Sequence, residues 1–204
     1  MKLGDHTRHG QSTPGRKNTP ALRLGVGVSI GLLIAATTLA AQGARPSEYQ
    51  VKAAYLYNFG KFVALPQQAS SSKTDTFNIC ILGQDPFGGV LDSALAGEII
   101  GGKTAVAKRI MNLEEATSCQ ILFISSSESV RLDRILKALD RNAILTVSDM
   151  EKFSQRGGMI QFVSADNKIR FQVNLSAAQN SGLSLSSELL KVAVAVTGNS
   201  AVGN

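Results

Sequence analysis

Downstream of residue 76, short apolar runs alternate with longer stretches in which apolar residues recur every three to four positions. The runs at 77–82 (FNICIL) and 121–124 (ILFI) are short and nearly continuous, the pattern of strands buried on both faces, and 144–147 (ILTV) reads as a further strand. Residues 104–110 (TAVAKRI) read as a more exposed strand. Between these runs lie helical patterns with their own start signals. Asp85-Pro86 opens one that reaches Leu95 and stops at Gly97, and Asn112 caps a short one over 113–116. The serines at 125–127 cap a third, with Val130, Leu132, Ile135, Leu136 and Leu139 facing inward. Asp149 caps a fourth that runs to Arg156 and is closed by Gly157-Gly158. Buried strands separated by helices imply parallel β-α-β units. The fold class is α/β, a layered α/β/α domain with a mainly parallel central sheet.

The pattern changes after residue 158. Residues 159–163 and 168–173 alternate strictly around Ser164-Ala165-Asp166-Asn167, which predicts a C-terminal β-hairpin. Helices follow over 174–180 and 186–196, the second with Leu189, Leu190, Ala193 and Val196 on one side, and 199–204 read as a flexible tail. Upstream, Ser47 and Gln50 form a capping-box pattern ahead of a helix over 48–63. Its apolar stripe is Val51, Tyr55, Asn58/Phe59 and Phe62, with Glu48 and Lys52 as an i,i+4 pair. Pro66 ends this helix, and 67–74 is a Ser-rich loop. Residues 45–198 thus read as one domain.

Residues 1–44 differ in kind. Five bases (Lys2, Arg8, Arg16, Lys17, Arg23) precede the uncharged stretch 24–40, followed by Ala40, Ala41, Gly43 and Ala44 and then Pro46. Basic start, apolar stretch and small-residue exit describe a secretory signal peptide cleaved between residues 40 and 44. An uncleaved anchor is the competing reading, since the run is just short of a membrane span. Removal changes the charge picture. Of the net +6, the remaining 160 residues keep 16 bases against 14 acids, which is no basic footprint for nucleic acid.

It also changes the chemistry. Both histidines, His6 and His9, leave with the leader. The mature domain then has no Ser-His-Asp or Cys-His relay and lacks the commonest metal ligand, so no catalytic, cofactor or metal residues are assigned. Residues 97–104 (GEIIGGKT) match a phosphate-loop pattern. The order around them is helix then strand, the reverse of what phosphate binding at a helix N-terminus needs, so the match reads as a connection. Asp85, Asp92, Glu114, Glu115, Asp133 and Asp149 lie near strand ends or helix starts, where capping explains them, although a carboxylate-dependent hydrolase stays open. Cys80 and Cys119 fall on two of the buried strands, and in an oxidising compartment they read as one disulfide. Buried free thiols and a redox-responsive bridge are the alternatives.

The run 48–63 (EYQVKAAYLYNFGKFV) closely resembles the opening signature of the YfiR family of bacterial periplasmic proteins. Matches continue in order at 78–83 (NICILG), 144–149 with 157–162 (ILTVSD, GGMIQF), and 169–175 leading to 182–190 (IRFQVNL, GLSLSSELL). Leu65 replaces the tryptophan frequent in the family, and the second cysteine pair of some members is missing. The Cys80–Cys119 pair matches the family's early pair. The resemblance implies a non-enzymatic periplasmic repressor that binds the periplasmic portion of an inner-membrane diguanylate cyclase and lowers cyclic diguanylate. It further implies sequestration by an outer-membrane lipoprotein. A homodimer is expected because the cyclase partners are dimers.

The expected contact residues are Tyr49, Tyr57 and Lys61, which fall off the stripe of the first helix, with Ile160, Phe162, Ile169 and Phe171 of the hairpin; ordinary core packing is the rival reading of each. A periplasmic solute-binding or sensing module for a kinase or transporter is the alternative function. The leader is testable by intact-mass analysis of exported protein, which should find the chain shortened by 40–44 residues.

Overall fold

The computed structural model describes residues 46–66 and 75–198. The expected leader (1–44), Ser-rich loop (67–74) and tail (199–204) lie outside the described residues.

The first helix, α1 (Glu48–Phe62), opens on the expected capping box: the Ser47 amide donates to Gln50 Oε1 at 2.6 Å and the Gln50 amide to Ser47 Oγ at 3.3 Å. The strands follow as β1 (Val63–Ala64), β2 (Thr76–Leu82), β3 (Ile99–Ile100), β4 (Lys103–Ile110), β5 (Ile121–Ile124), β6 (Leu145–Ser148), β7 (Ile160–Ala165), β8 (Lys168–Asn174), β9 (Ser184–Leu185) and β10 (Ala195–Thr197). The remaining α-helices are α2 (Gly89–Leu95), α3 (Leu132–Ala138), α4 (Leu175–Asn180) and α5 (Ser187–Val192). Eight strands form one sheet in the order β10-β8-β7-β6-β5-β2-β4-β3, and β1 pairs with β9 in a small second sheet. From β4 through β2, β5 and β6 to β7 every pairing is parallel. β8 turns back antiparallel to β7, so the hairpin extends the main sheet.

The continuous apolar runs have a simple cause. In β2, Ile79 and Ile81 face α1 and α2, whereas Cys80 and Leu82 face α3. Both sets are buried, so an alternating pattern would leave polar atoms in a core. One core joins Leu56 and Phe59 of α1 and Leu91 of α2 to Phe123, Phe162 and Phe171 of the sheet. The other packs Leu132, Ile135 and Leu139 on Leu122, Ile124 and Phe153. Gly60 lets α1 lie flush on the sheet, since a Cβ there would stand 2.8 Å from Ile100 Cδ1. At the hairpin tip Asp166 and Asn167 both have positive φ (52° and 56°), the two-residue turn whose twist matches the strands.

Several local expectations need correction. Val130 is 95% exposed, because the helix it was assigned to begins only at Leu132 after a 3-10 turn over Ser126–Glu128. No regular helix follows Asp149; residues 151–157 are turns, and the Asp149 carboxylate is drawn instead to Lys52. The segment after Asp85-Pro86 becomes helical only at Gly89. Residues 186–196 are not one helix: α5 stops at Val192 and β10 adds to the sheet edge beside β8, with Val196 exposed. Propensity alone leaves such an apolar stretch ambiguous, and the open edge of β8 decides it.

A disulfide joins Cys80 and Cys119, spanning β2 to the segment before β5 with a Cα–Cα distance of 5.9 Å. Closing a loop of about 40 residues should contribute roughly 3–4 kcal/mol. The double variant Cys80→Ala/Cys119→Ala is expected to lose about that much unfolding free energy in urea while keeping its circular-dichroism spectrum.

Candidate functional site

Where the N-terminal turn of α1 meets the carboxyl end of β6, a lysine is buried. Lys52 is only 3% exposed, and its Nζ donates to Asp149 Oδ2 at 2.6 Å and lies 2.5 Å from Glu48 Oε1. The Tyr49 hydroxyl donates to the same Asp149 oxygen at 3.1 Å. The ammonium also stands 4.4 Å from the centre of the Tyr49 ring and 5.9 Å from that of Phe162. Two carboxylates and two aromatic faces thus replace the water that Lys52 gave up.

The electrostatics follow. Burial works against the charged ammonium, but the hydrogen-bonded carboxylates of Asp149 and Glu48 outweigh it and hold the Lys52 pKa above its ordinary 10.5. Burial, followed by the nearby Asp149 charge, raises the Tyr49 phenol above its ordinary 10.0. Beside this knot lies a cleft of about 220 Å³, with Glu48, Asp149 and Glu151 among its polar walls and Phe162, Val163 and Ile169 among its apolar ones.

The expected contact residues separate in three dimensions. Tyr49 belongs to the Lys52 knot, and Ile169 lines the cleft, its carbonyl accepting from the Tyr55 hydroxyl at 3.3 Å. Lys61 is exposed and its Nζ lies 4.8 Å over the half-buried Tyr57 ring two turns further along α1. Ile160, Phe162 and Phe171 are core residues: Phe171 meets Phe59 edge-on at 5.0 Å and Phe162 stacks on it at 5.8 Å. Of these three only Phe162 reaches a surface, as a wall of the cleft. The correction is physical, because α1 covers the face of the hairpin that carries them.

In open α/β sheets, ligands bind outside the carboxyl ends of the strands where the strand order reverses. Here that point lies between β2 and β5, and the protein fills it. The Ser125 amide donates to the Leu82 carbonyl at 3.0 Å and the Gln84 amide to Ser127 Oγ at 2.9 Å. Gly83 (φ 91°) lies so close that a Cβ would meet Ser127 Oγ at 2.5 Å. Most of the six flagged carboxylates have structural partners: Asp85 and Asp92 bind Arg109, Asp133 binds Arg156, Asp149 binds Lys52, and Glu115 caps the Asn112 amide.

The sequence profile described as YfiR/HmsC-like matches residues 49–194. The chain belongs to that family. The matched range takes in Tyr49, Lys52, Asp149 and Phe162, and begins one residue after Glu48. No curated protein matches the chain. Among solved structures, the ABC domain in complex with L-Trp from Streptococcus pneumonia is 12% identical with a TM-score of 0.46; the match covers 71% of this chain. The matched part is 60% of that structure's length.

The family resemblance marks α1 in the sequence, but the pairing of Lys52 with Asp149 is not legible there. The Glu48–Lys52 spacing marks a pair, and only packing shows that the lysine is buried. Both raised pKa values mean that the folded chain holds protons that the unfolded chain releases first. Their stabilisation is complete below about pH 10 and is lost as pH rises above it. Asp149→Asn should cost about 2–3 kcal/mol near neutral pH and flatten that alkaline loss, as read by urea denaturation at about pH 7 and about pH 11.

Proposed function

We propose that this protein is a periplasmic regulator that represses an inner-membrane diguanylate cyclase by binding the cyclase's periplasmic portion. The observation that carries the reading is the family match over nearly the whole described domain. Two features of the fold support it. The crevice where a doubly wound sheet would hold a solute is closed by Gln84 and Ser127, which favours a partner surface over a solute-binding module. Among the described residues no helix is long and apolar enough to cross a membrane, so this domain would reach a membrane cyclase by contact with its periplasmic portion.

Repression of this kind is a population shift. The regulator must bind the inactive arrangement of the cyclase more tightly than the active one, by about 10⁴-fold to carry an equilibrium from 99:1 to 1:99. The surface proposed for this contact runs along α1 from the Glu48–Asp149 cleft to Tyr57 and Lys61, with Ile169 at its hairpin side. An outer-membrane lipoprotein would compete for the regulator, and a homodimer would match a dimeric cyclase.

Deleting the gene should raise cellular cyclic diguanylate and biofilm, and deleting the partner cyclase as well should abolish the rise. Lys61→Glu, at the exposed side of α1, should reproduce the deletion while the purified protein keeps its melting temperature. An unchanged cyclic diguanylate level in the deletion strain would remove this reading.

A further inference from the structure

At the carboxyl end of β4, Arg109 makes four hydrogen bonds. Its Nε donates to Asp85 Oδ2 at 2.8 Å, and its two terminal nitrogens form a fork on Asp92 at 2.8 and 2.7 Å. Nη2 also donates to the Gly88 carbonyl at 2.6 Å. The cluster is half-exposed, with Arg109 at 35%, so no single pair in it is strong. Its value is geometric. A guanidinium can hold three acceptors in a fixed plane, which an ammonium cannot.

The segment it holds is tied at its start by the Gln84 amide to Ser127 Oγ, and Arg109 holds the rest. Helix α2 has Gly88 at its N-cap and no side-chain cap, so Arg109 secures the loop between β2 and α2 from Asp85 to Gly88. The other Asp85 oxygen accepts from the Phe87 amide at 2.7 Å, which sets the backbone of the one aromatic residue in the loop. The Phe87 ring, 3% exposed, stands edge-on to Phe123 of β5 at 4.9 Å and to Tyr49 of α1 at 5.2 Å. Tyr49 in turn holds Asp149. An unbroken series of direct contacts therefore runs from β4 over the strand ends to the Lys52 knot.

We infer that Arg109 is a positioning residue: through Asp85 and Phe87 it sets Tyr49, and thereby the burial of Lys52 at the partner-facing end of α1. The functional part of this inference rests on the reading of that cleft as the partner surface; the positioning itself does not. Charge alone does not suffice for the role, since the loop is held by a planar fork and a carbonyl contact together.

The test measures the rate at which an amine-acylating reagent labels Lys52 in the purified full-length mature protein, by peptide mass spectrometry, relative to the exposed Lys61 of the same helix. Arg109→Met should raise the Lys52:Lys61 ratio by about fivefold or more, and Arg109→Lys by less. Ile135→Val, which loosens the core on the opposite face of the sheet, should leave the ratio unchanged despite its loss of stability. If Arg109→Met fails to fold, Arg109→Lys is read alone against Ile135→Val. An unchanged ratio, or an equal rise in Ile135→Val, overturns the positioning role and leaves the partner reading standing. A raised ratio with cellular cyclic diguanylate still repressed upholds positioning and removes the cleft from the partner surface.

Discussion

Side chains buried on both faces of the central parallel strands impose the rest of this architecture. A strand such as β2, with Ile79 and Ile81 on one side and Cys80 and Leu82 on the other, can exist only between two layers of cover. α1 and α2 supply one layer and α3 the other. The hairpin strands β7 and β8 meet this demand differently. Their Ile160, Phe162, Phe171 and Val173 face α1, while the other side carries polar residues: Gln161, buried with its Oε1 accepting from the Ser154 amide and hydroxyl, and the half-buried Arg170 and Gln172.

The same packing decides where chemistry is possible. Parallel sheets gather their loops at the carboxyl ends of the strands, and a site is expected there. In this protein that region is occupied by its own residues: Gln84, Ser127 and Glu128 at the reversal of strand order, Arg109 with two aspartates over β4, and Lys52 with Asp149 beside β6. For the proposed regulatory contact, a surface already tied down by its own ion pairs would leave little order to be imposed on binding. That agrees with membership of a regulatory family.

Much of the candidate site was legible at the level of elements and little at the level of residues. The capping box and the resemblance of residues 48–63 to the family's opening signature both mark the first helix as a specific structure. Yet Val51, assigned to its buried stripe, is half-exposed, and Lys52, its neighbour, is buried. A rotation of one position in a helix moves the facing direction by about 100°, and a sequence offers no reason to turn a lysine inward when its partner carboxylate lies 97 residues away. Arg109 and Phe87 escaped notice for the same reason.

The order and kind of most elements, the reading of the two cysteines as a pair and the family were legible in the chain, with the division into leader and domain as an expectation. These rest on local periodicity, on turn and cap residues and on an ordered series of motifs, all of which are written in neighbouring positions. Tertiary structure alone decided that residues 195–197 become a strand, that three hairpin aromatics and aliphatics are core, and that Lys52 is an interior charge. Each of these depends on what a distant segment offers: an open sheet edge, the covering face of α1, a carboxylate at the end of β6. Burial and ion pairing are relations between surfaces, and a chain acquires them only when it closes on itself.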